Sequence, residues 1–473
     1  MSGRQNQCLP LLNGIRVPVC GVAMAFLGAL GGCAVYRSMP LNAETVEDAL
    51  RPLPIDAVKI AAERLDHPLI KPVRIDGEGG FTPDEIAVMV VVVSPQLRAA
   101  RDQRGLAQAQ VLQAGILPNP QWSQSVDVPR GNADATLVTG RAHGLGWDLG
   151  ALLTHHDDVA AARSAARSVD LQIAWQEWQV AQDARLRAFR IASMQERLPL
   201  EREVEAGLAA NVVLIRQSFD HRLKVIGDLT IATDLYSQVR DARLALEQSL
   251  VADRLALNLS LGLPSDAPLQ IKMPETLPTL ATDAAAGSRL LAGLESRRLD
   301  LVALTLGYQS QESTLRSTVL SQFPKINLSI NRASDTSAIK TRGWAIGVEL
   351  PVFDRRQGAI ATARATRQQL FDDYVARVAE ARVQVQQILE DLAVLQTQLD
   401  GATASLVDLQ LLSKGYEQTY ASQNADVIAY RDARAALALR RVEQSKLKQD
   451  LLELGVGLEI ATGRALLTTT ITR

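Results

Sequence analysis

Ile326-Asn327-Leu328-Ser329-Ile330-Asn331 and Trp344-Ala345-Ile346-Gly347-Val348-Glu349-Leu350 flank a polar loop through Asp335 and Lys340, and both alternate apolar with polar or small residues. That period of two predicts a pair of strands, each with one apolar face. A helical run then extends from Asp354 to about Ser413. Within it Tyr374, Val378, Ala381, Val385, Ile388, Leu392, Leu395, Leu399, Ala402, Leu406 and Leu409 recur at alternating spacings of four and three. Such a seam is a sustained heptad, with Gln, Arg, Glu and Asp filling the wet faces. A helix of roughly sixty residues is about 90 Å long, far more than a bilayer is thick.

The same grammar occurs earlier in the chain. Ser94-Pro95-Gln96-Leu97-Arg98-Ala99-Ala100 leads to Leu117-Pro118-Asn119-Pro120-Gln121-Trp122, as Arg298-Leu299-Asp300-Leu301 leads to Gln322-Phe323-Pro324-Lys325-Ile326. Leu97 answers Leu301 and Pro120 answers Pro324. Gly146-Trp147-Asp148-Leu149 answers Gly347-Val348-Glu349-Leu350, and Arg163 answers Arg364. Arg240-Asp241-Ala242-Arg243 is echoed by Arg431-Asp432-Ala433-Arg434 at a shorter offset, which a few small indels explain. Order shared by several weak matches marks an internal duplication. Each copy reads helix, two strands, very long helix, turn, long helix. The first-half strands are fainter, with Trp122, Val126 and Val128 on one side, then Leu145, Trp147 and Leu149 opposite Gly144, Gly146 and Asp148.

The halves span 82–263 and 283–463 and are joined by 264–282, whose Pro264, Pro268, Pro274 and Pro278 no long helix could cross. Residues 33–81 read as an extended lead, and 464–473 as a C-terminal tail. The lead ends at Phe81-Thr82-Pro83-Asp84-Glu85, with Thr82 as helix N-cap and a proline in the first turn. Val90 to Val93 is β-branched, which lowers helix propensity there.

The 473 residues are 47% hydrophobic, 22% charged and 4% aromatic, with 50 Lys and Arg against 52 Asp and Glu. Mean hydropathy is +0.02 and the sequence pI near 6.3. These values exclude a multispan helical membrane protein and give no bulk electrostatic reason to expect nucleic-acid binding. The cysteines are Cys8, Cys20 and Cys33. None lies in the body of the chain, so no disulfide framework, zinc cluster or catalytic thiol can form there. Arg4 and Arg16 precede the apolar run Val17 to Leu30, and Leu30-Gly31-Gly32-Cys33 follows. This start reads as a signal peptide over 1–32. Its end resembles a bacterial lipobox, which implies that Cys33 carries the lipid anchor. Ala34, not Asp, follows it, and by the same resemblance the chain is directed to the outer membrane.

Four strands cannot close a membrane barrel, because open edges leave backbone N–H and C=O groups unpaired in hydrocarbon. They either join other chains or pack as a soluble sheet. Here the chain from Phe81 onward resembles the TolC-like outer-membrane efflux factors, specifically their lipidated members. The resemblance is carried by Phe81-Thr82-Pro83-Asp84-Glu85-Ile86-Ala87 with Ser94-Pro95-Gln96-Leu97, by Val348-Glu349-Leu350-Pro351-Val352-Phe353-Asp354, and by Asn424-Ala425-Asp426-Val427-Ile428 through Leu454-Gly455. It implies a mainly α, internally duplicated chain that assembles as a homotrimer. Four strands per chain would contribute to a shared transmembrane β-barrel, and the long helices would form a periplasmic α-barrel. It further implies a periplasmic adaptor and an inner-membrane transporter of RND type as partners, outer-membrane lipid around the barrel, and no cofactor. The function implied is that of a passive exit duct. A non-channel periplasmic scaffold lipoprotein is the alternative; an adaptor of the same pumps is disfavoured by the duplicated strand pairs. No Ser/His/Asp, metal or phosphate-loop constellation points to an enzyme.

Strand parity puts Asp148 and Glu349 opposite the apolar faces, as candidates for an acidic ring in a lumen. Gly227, Asp228 and Asp234 are candidates at the first hairpin tip, where Val225-Ile226-Gly227-Asp228-Leu229 resembles the family's turn. Asp426 matches a family aspartate that narrows the periplasmic aperture, while Tyr420 to Asn424 lacks the glycine of that turn. His155-His156-Asp157-Asp158 reads as a solvated helix start, because adjacent histidines on a helix point apart. Trp175 and Trp178 read as inter-helix packing.

Overall fold

The structure, a computed structural model, describes residues 34–130, 136–273, 286–421 and 427–467. The chain divides between Arg51 and Pro52 into two units. In the first, α1 (Ala43–Leu50) starts with a capping box. Asn42 Oδ1 accepts from the Thr45 N–H at 2.9 Å, and Thr45 Oγ1 accepts from the Asn42 N–H at 3.2 Å. Every residue of α1 is solvent-exposed.

The second unit opens with α2 (Ile55–Glu63), α3 (Pro83–Val93) and α4 (Pro95–Gly115). There follow β1 (Gln121–Asp127), β2 (Gly140–Asp148), α5 (Ala151–Asp220) and α6 (Ile226–Ser260). After the short α7 (Ala286–Leu291) and α8 (Leu294–Arg297), the order returns as α9 (Leu299–Leu320), β3 (Lys325–Ser334), β4 (Lys340–Glu349), α10 (Gln357–Ala421) and α11 (Val427–Thr462). The duplication is therefore structural. Its offset stays near 200 to the end, since α11 ends at 462 where α6 ends at 260, and Gly463 repeats the left-handed backbone of Gly262 just beyond. The echo of Arg240-Asp241-Ala242-Arg243 in Arg431-Asp432-Ala433-Arg434 is thus not positional. The two motifs lie about three helical turns out of step, and no run of indels is needed.

The 70 residues of α5 and the 65 of α10 make rods of about 105 and 98 Å. Within its own repeat each is lined by two shorter helices in succession, α4 then α6 along α5, and α9 then α11 along α10; α9 and α11 also pack against α5, which joins the two repeats. The seam read from sequence is the buried edge of α10. All eleven of its residues are buried or half-buried, with Val385 at 0% and Leu392 at 2% exposed, while the polar positions between them face solvent apart from the half-buried Arg377 and Ser405. The helix starts three residues later than expected and runs on to Ala421, because the same spacing continues through Ser413 and Tyr416, themselves buried and half-buried.

The main core lies midway along α5. Ile86, Val90 and Val91 of α3 pack there with Trp175, Trp178, Ala184 and Ile191 of α5 and Leu246, Leu250 and Leu257 of α6. Both tryptophans are inter-helix packing, as expected. The Val90–Val93 run is helical despite its β-branched residues, because α3 is apolar on every side from Ile86 onward and is buried from Ile86 to Val91, with Val92 and Val93 half-buried. Its start is a reciprocal box. Thr82 Oγ1 accepts from the Glu85 N–H at 3.3 Å, and Glu85 accepts from the Thr82 N–H at 2.7 Å and the Asp76 N–H at 2.8 Å. The described part of the proline-rich join is an ordered strap. The Phe81 N–H donates to Gln270 O at 2.9 Å and the Lys272 N–H to Phe81 O at 3.0 Å. The lead before α3 contains α2, of which Val58 and Ala62 reach the core.

Candidate functional site

β1 to β4 form one antiparallel sheet in sequence order. Its register aligns chemistry across all four strands. Trp122 pairs with Leu145, Leu145 with Ile330, and Ile330 with Trp344. One step nearer the helices, Trp147, Leu328 and Ile346 form the next row, and Ile326 and Val348 the one after. These rows are exposed in the single chain, with Trp344 at 72% and Trp122 at 66%, except for Trp147, which is half-buried and donates its indole N–H to Pro118 O at 2.8 Å. A contiguous apolar face this large on a folded sheet marks a surface that something covers.

The opposite face is small and polar. Ser123, Gly144, Asn331 and Gly343 form one row, and Gln121, Gly146, Ser329 and Ala345 the next. Gly144 is enclosed there, since a Cβ on it would lie 2.6 Å from Ser123 Oγ and 2.7 Å from Asn331 Oδ1. Asp148 and Glu349 both belong to this face, at its helix-proximal end. Asp148 Oδ1 accepts from the Gly150 N–H at 2.8 Å, which turns the chain from β2 into α5. Glu349 is opposite Lys325, whose Nζ is 3.9 Å from its Oε2. Lys325 was not among the residues singled out from the sequence; the signal was its place on the polar parity of β3.

At the first tip, α6 begins after Val225, and Asp228 Oδ2 accepts from the Val225 N–H at 3.3 Å. A carboxylate there meets the positive end of the helix dipole. Gly227 faces open space and is not needed for a turn conformation, because it already lies in the helix. Asp234, two turns on, is exposed and accepts from Gln238 Nε2 at 2.7 Å. Asp426 and Cys33 lie outside the described residues. In the run His155 to Asp158, Asp158 accepts from Ser317 Oγ at 2.5 Å and so ties α5 to α9. Among the described residues there is no group of three His, Cys, Asp or Glu side chains placed to hold a metal ion.

Sequence reasoning missed the buried charges that lock the middle of the molecule. Arg185 of α5 lies between Glu459 of α11 at 2.5 Å and Asp84 of α3 at 2.6 Å. Arg298 chelates Asp300 at 3.0 and 2.7 Å and lies over the Trp175 ring. Glu177 accepts from Arg101 Nε at 2.6 Å, and 3.6 Å from it is His67. His67 Nδ1 accepts from the Leu69 and Ile70 N–H groups at 3.0 Å, so Nε2 carries the proton and donates to Ala174 O at 3.0 Å. Burial lowers the His67 pKa from its ordinary value, against the pull of the Ala174 carbonyl and Glu177. No sequence period could show these pairings, which join residues up to 274 positions apart.

No helix among the described residues is long and apolar enough to cross a membrane. The architecture is a single four-stranded sheet, built from two repeated strand pairs, at one end of very long paired helices, and this is the fold of the TolC-like outer-membrane channels. The outer-membrane channel OprN superposes with a TM-score of 0.65 over 82% of this chain and 91% of its own, at 14% identity. The outer-membrane protein VceC from Vibrio cholerae gives 0.63 over 81% and 96%, at 15% identity. The CmeC outer-membrane channel of Campylobacter jejuni gives 0.63 over 80% and 85%, at 14% identity. No protein-family model and no curated protein matches the chain.

Proposed function

We propose that the protein is the outer-membrane exit duct of a three-part efflux system. The observation that carries this is the sheet, which has two unpaired edge strands, an exposed apolar face and a small, polar opposite face. In water the apolar face is unfavourable, and in lipid the open edges are. Both are resolved when β4 of one chain pairs with β1 of the next. Three chains would give a twelve-stranded barrel, within the range of bacterial barrels, whereas one chain alone falls below it. Strands of 10 residues in β3 and β4 match the 9 to 11 that a tilted spanning strand needs.

In this reading the helices hang from the barrel as a periplasmic tube. Tips such as Gly227 to Asp234, and Asp426 in the second hairpin, face a periplasmic adaptor and an RND-type transporter that supplies the energy. Cys33 carries the lipid that holds the start of the mature chain to the outer membrane. The duct itself is passive and catalyses no reaction. The exposed apolar rows favour it over a periplasmic scaffold, which has no use for them. Full-length protein is purified in detergent, weighed by native mass spectrometry and added to planar bilayers. Three chains per particle and stepwise conductance are expected; a monomer without conductance overturns the proposal.

A further inference from the structure

The apolar face of the sheet does not stay apolar along its length. Beyond the row that contains Trp122 and Trp344, toward the β3–β4 turn, the register places His143 opposite Arg332 and Arg332 opposite Arg342. The row after that holds Arg141 and Lys340, each opposite Ser334. All five side chains are exposed. Side chains directly opposite on antiparallel strands are about 5 Å apart at Cβ, and like charges there repel. Arg332 beside Arg342 is therefore unfavourable unless an anion lies between them.

The described strands do not supply that anion from the same face. Among the strand residues of that face there is no carboxylate. Asp127, Asp148 and Glu349 all have the opposite parity, with Lys325. Charge is segregated across the sheet, with three arginines and one lysine outside and three carboxylates and one lysine inside. The position of the cations is equally specific. They begin where the tryptophan row ends, and tryptophan favours the level of the lipid headgroups. The helices leave from the other end of the sheet, so this end is the outer one.

We infer that Arg332 and Arg342, with Arg141 and Lys340 above them, form a belt that binds the phosphate-bearing headgroups of the outer leaflet. The inference rests on the reading of the sheet as a barrel segment. A guanidinium binds phosphate through two parallel N–H···O bonds, and two guanidinium groups in one row can share one phosphate. Such a belt fixes the height of the barrel in the membrane and answers the repulsion within the row.

The test uses full-length protein in detergent and lipid A, a glycolipid with two phosphates, against the same lipid after enzymatic removal of its phosphates. Native mass spectrometry counts bound molecules across a concentration series. The wild type is expected to retain the phosphorylated form preferentially. With about fivefold in affinity per charge near an anionic surface, Arg332→Gln/Arg342→Gln is expected to weaken retention about 25-fold. Arg222→Gln, at the far end of the molecule, is expected to leave it unchanged. Equal retention of the two lipid forms by the wild type overturns the inference without any variant, as does undiminished retention by the double variant. Conductance in neutral phosphatidylcholine bilayers separates the two readings. Channels without lipid preference sink the belt alone, and a wild type that conducts in no bilayer sinks the duct.

Discussion

Removing the Glu459 carboxylate tests how the two repeats are joined. Glu459 is 0% exposed. Its Oε2 accepts from Arg185 at 2.5 Å, and its Oε1 accepts from the Leu466 and Leu467 N–H groups at 2.6 and 2.5 Å. Burial holds its carboxyl above the ordinary glutamate range, with Arg185 pulling the other way. Glu459→Ala leaves a buried guanidinium with Asp84 alone and two backbone donors without an acceptor. Breaking a buried pair costs about 3 to 5 kcal/mol, and each orphaned donor about 1 to 3. These terms overlap, so the expected loss is about 5 kcal/mol, comparable with the whole stability of a small domain. The assay is urea unfolding in detergent followed by far-UV circular dichroism, with the midpoint compared at constant slope. Glu459→Leu with Arg185→Met removes both charges of that pair and is expected to recover the part of the loss owed to the stranded guanidinium, while the Leu466 and Leu467 N–H groups stay without their acceptor. A loss below about 1 kcal/mol for Glu459→Ala, or a double variant no better than the single one, refutes this reasoning.

Three further outcomes are expected. Because burial lowers the His67 pKa, the unfolded chain binds a proton that the folded chain refuses, so stability falls as pH drops below about 6.5 toward the folded value. Thermal midpoints measured from about pH 7.5 to about 5.5 should show this slope in the wild type and a flatter one in His67→Gln. Leu392→Ala, in the middle of the α10 seam, should cost about 2 to 5 kcal/mol in the same urea assay, whereas Val394→Ala on the exposed side should cost little. Lys325→Glu removes the partner of Glu349 and should shift the reversal potential of the reconstituted channel toward cation preference, with Glu349→Gln moving it the other way.

What was legible in the sequence is what repeats. Period two gave the faces of β3 and β4 residue by residue, and period 3.5 gave the α10 seam without an error of register. The duplication was visible through its first part. Toward its end the Ala- and Arg-rich helices offer false echoes, of which Arg431-Asp432-Ala433-Arg434 is one. What was hidden depends on contacts between distant segments. The helix at Val90 to Val93 forms because tertiary burial overrides propensity, and the proline-rich strap is ordered by Phe81. The Lys325 partner of Glu349 and the Arg185 lock needed register and packing to be seen.

The central claim is that the sheet is one wall segment of a membrane-spanning barrel. The most direct measurement places single cysteines at successive positions of β4 from Gly343→Cys to Val348→Cys, in protein reconstituted in vesicles, and labels them with a membrane-impermeant maleimide. The account predicts labelling of the odd positions 343, 345 and 347, which share the polar face, and protection of 344, 346 and 348 by lipid. Equal labelling of both sets would mean that both faces are wet and that the sheet does not span a membrane.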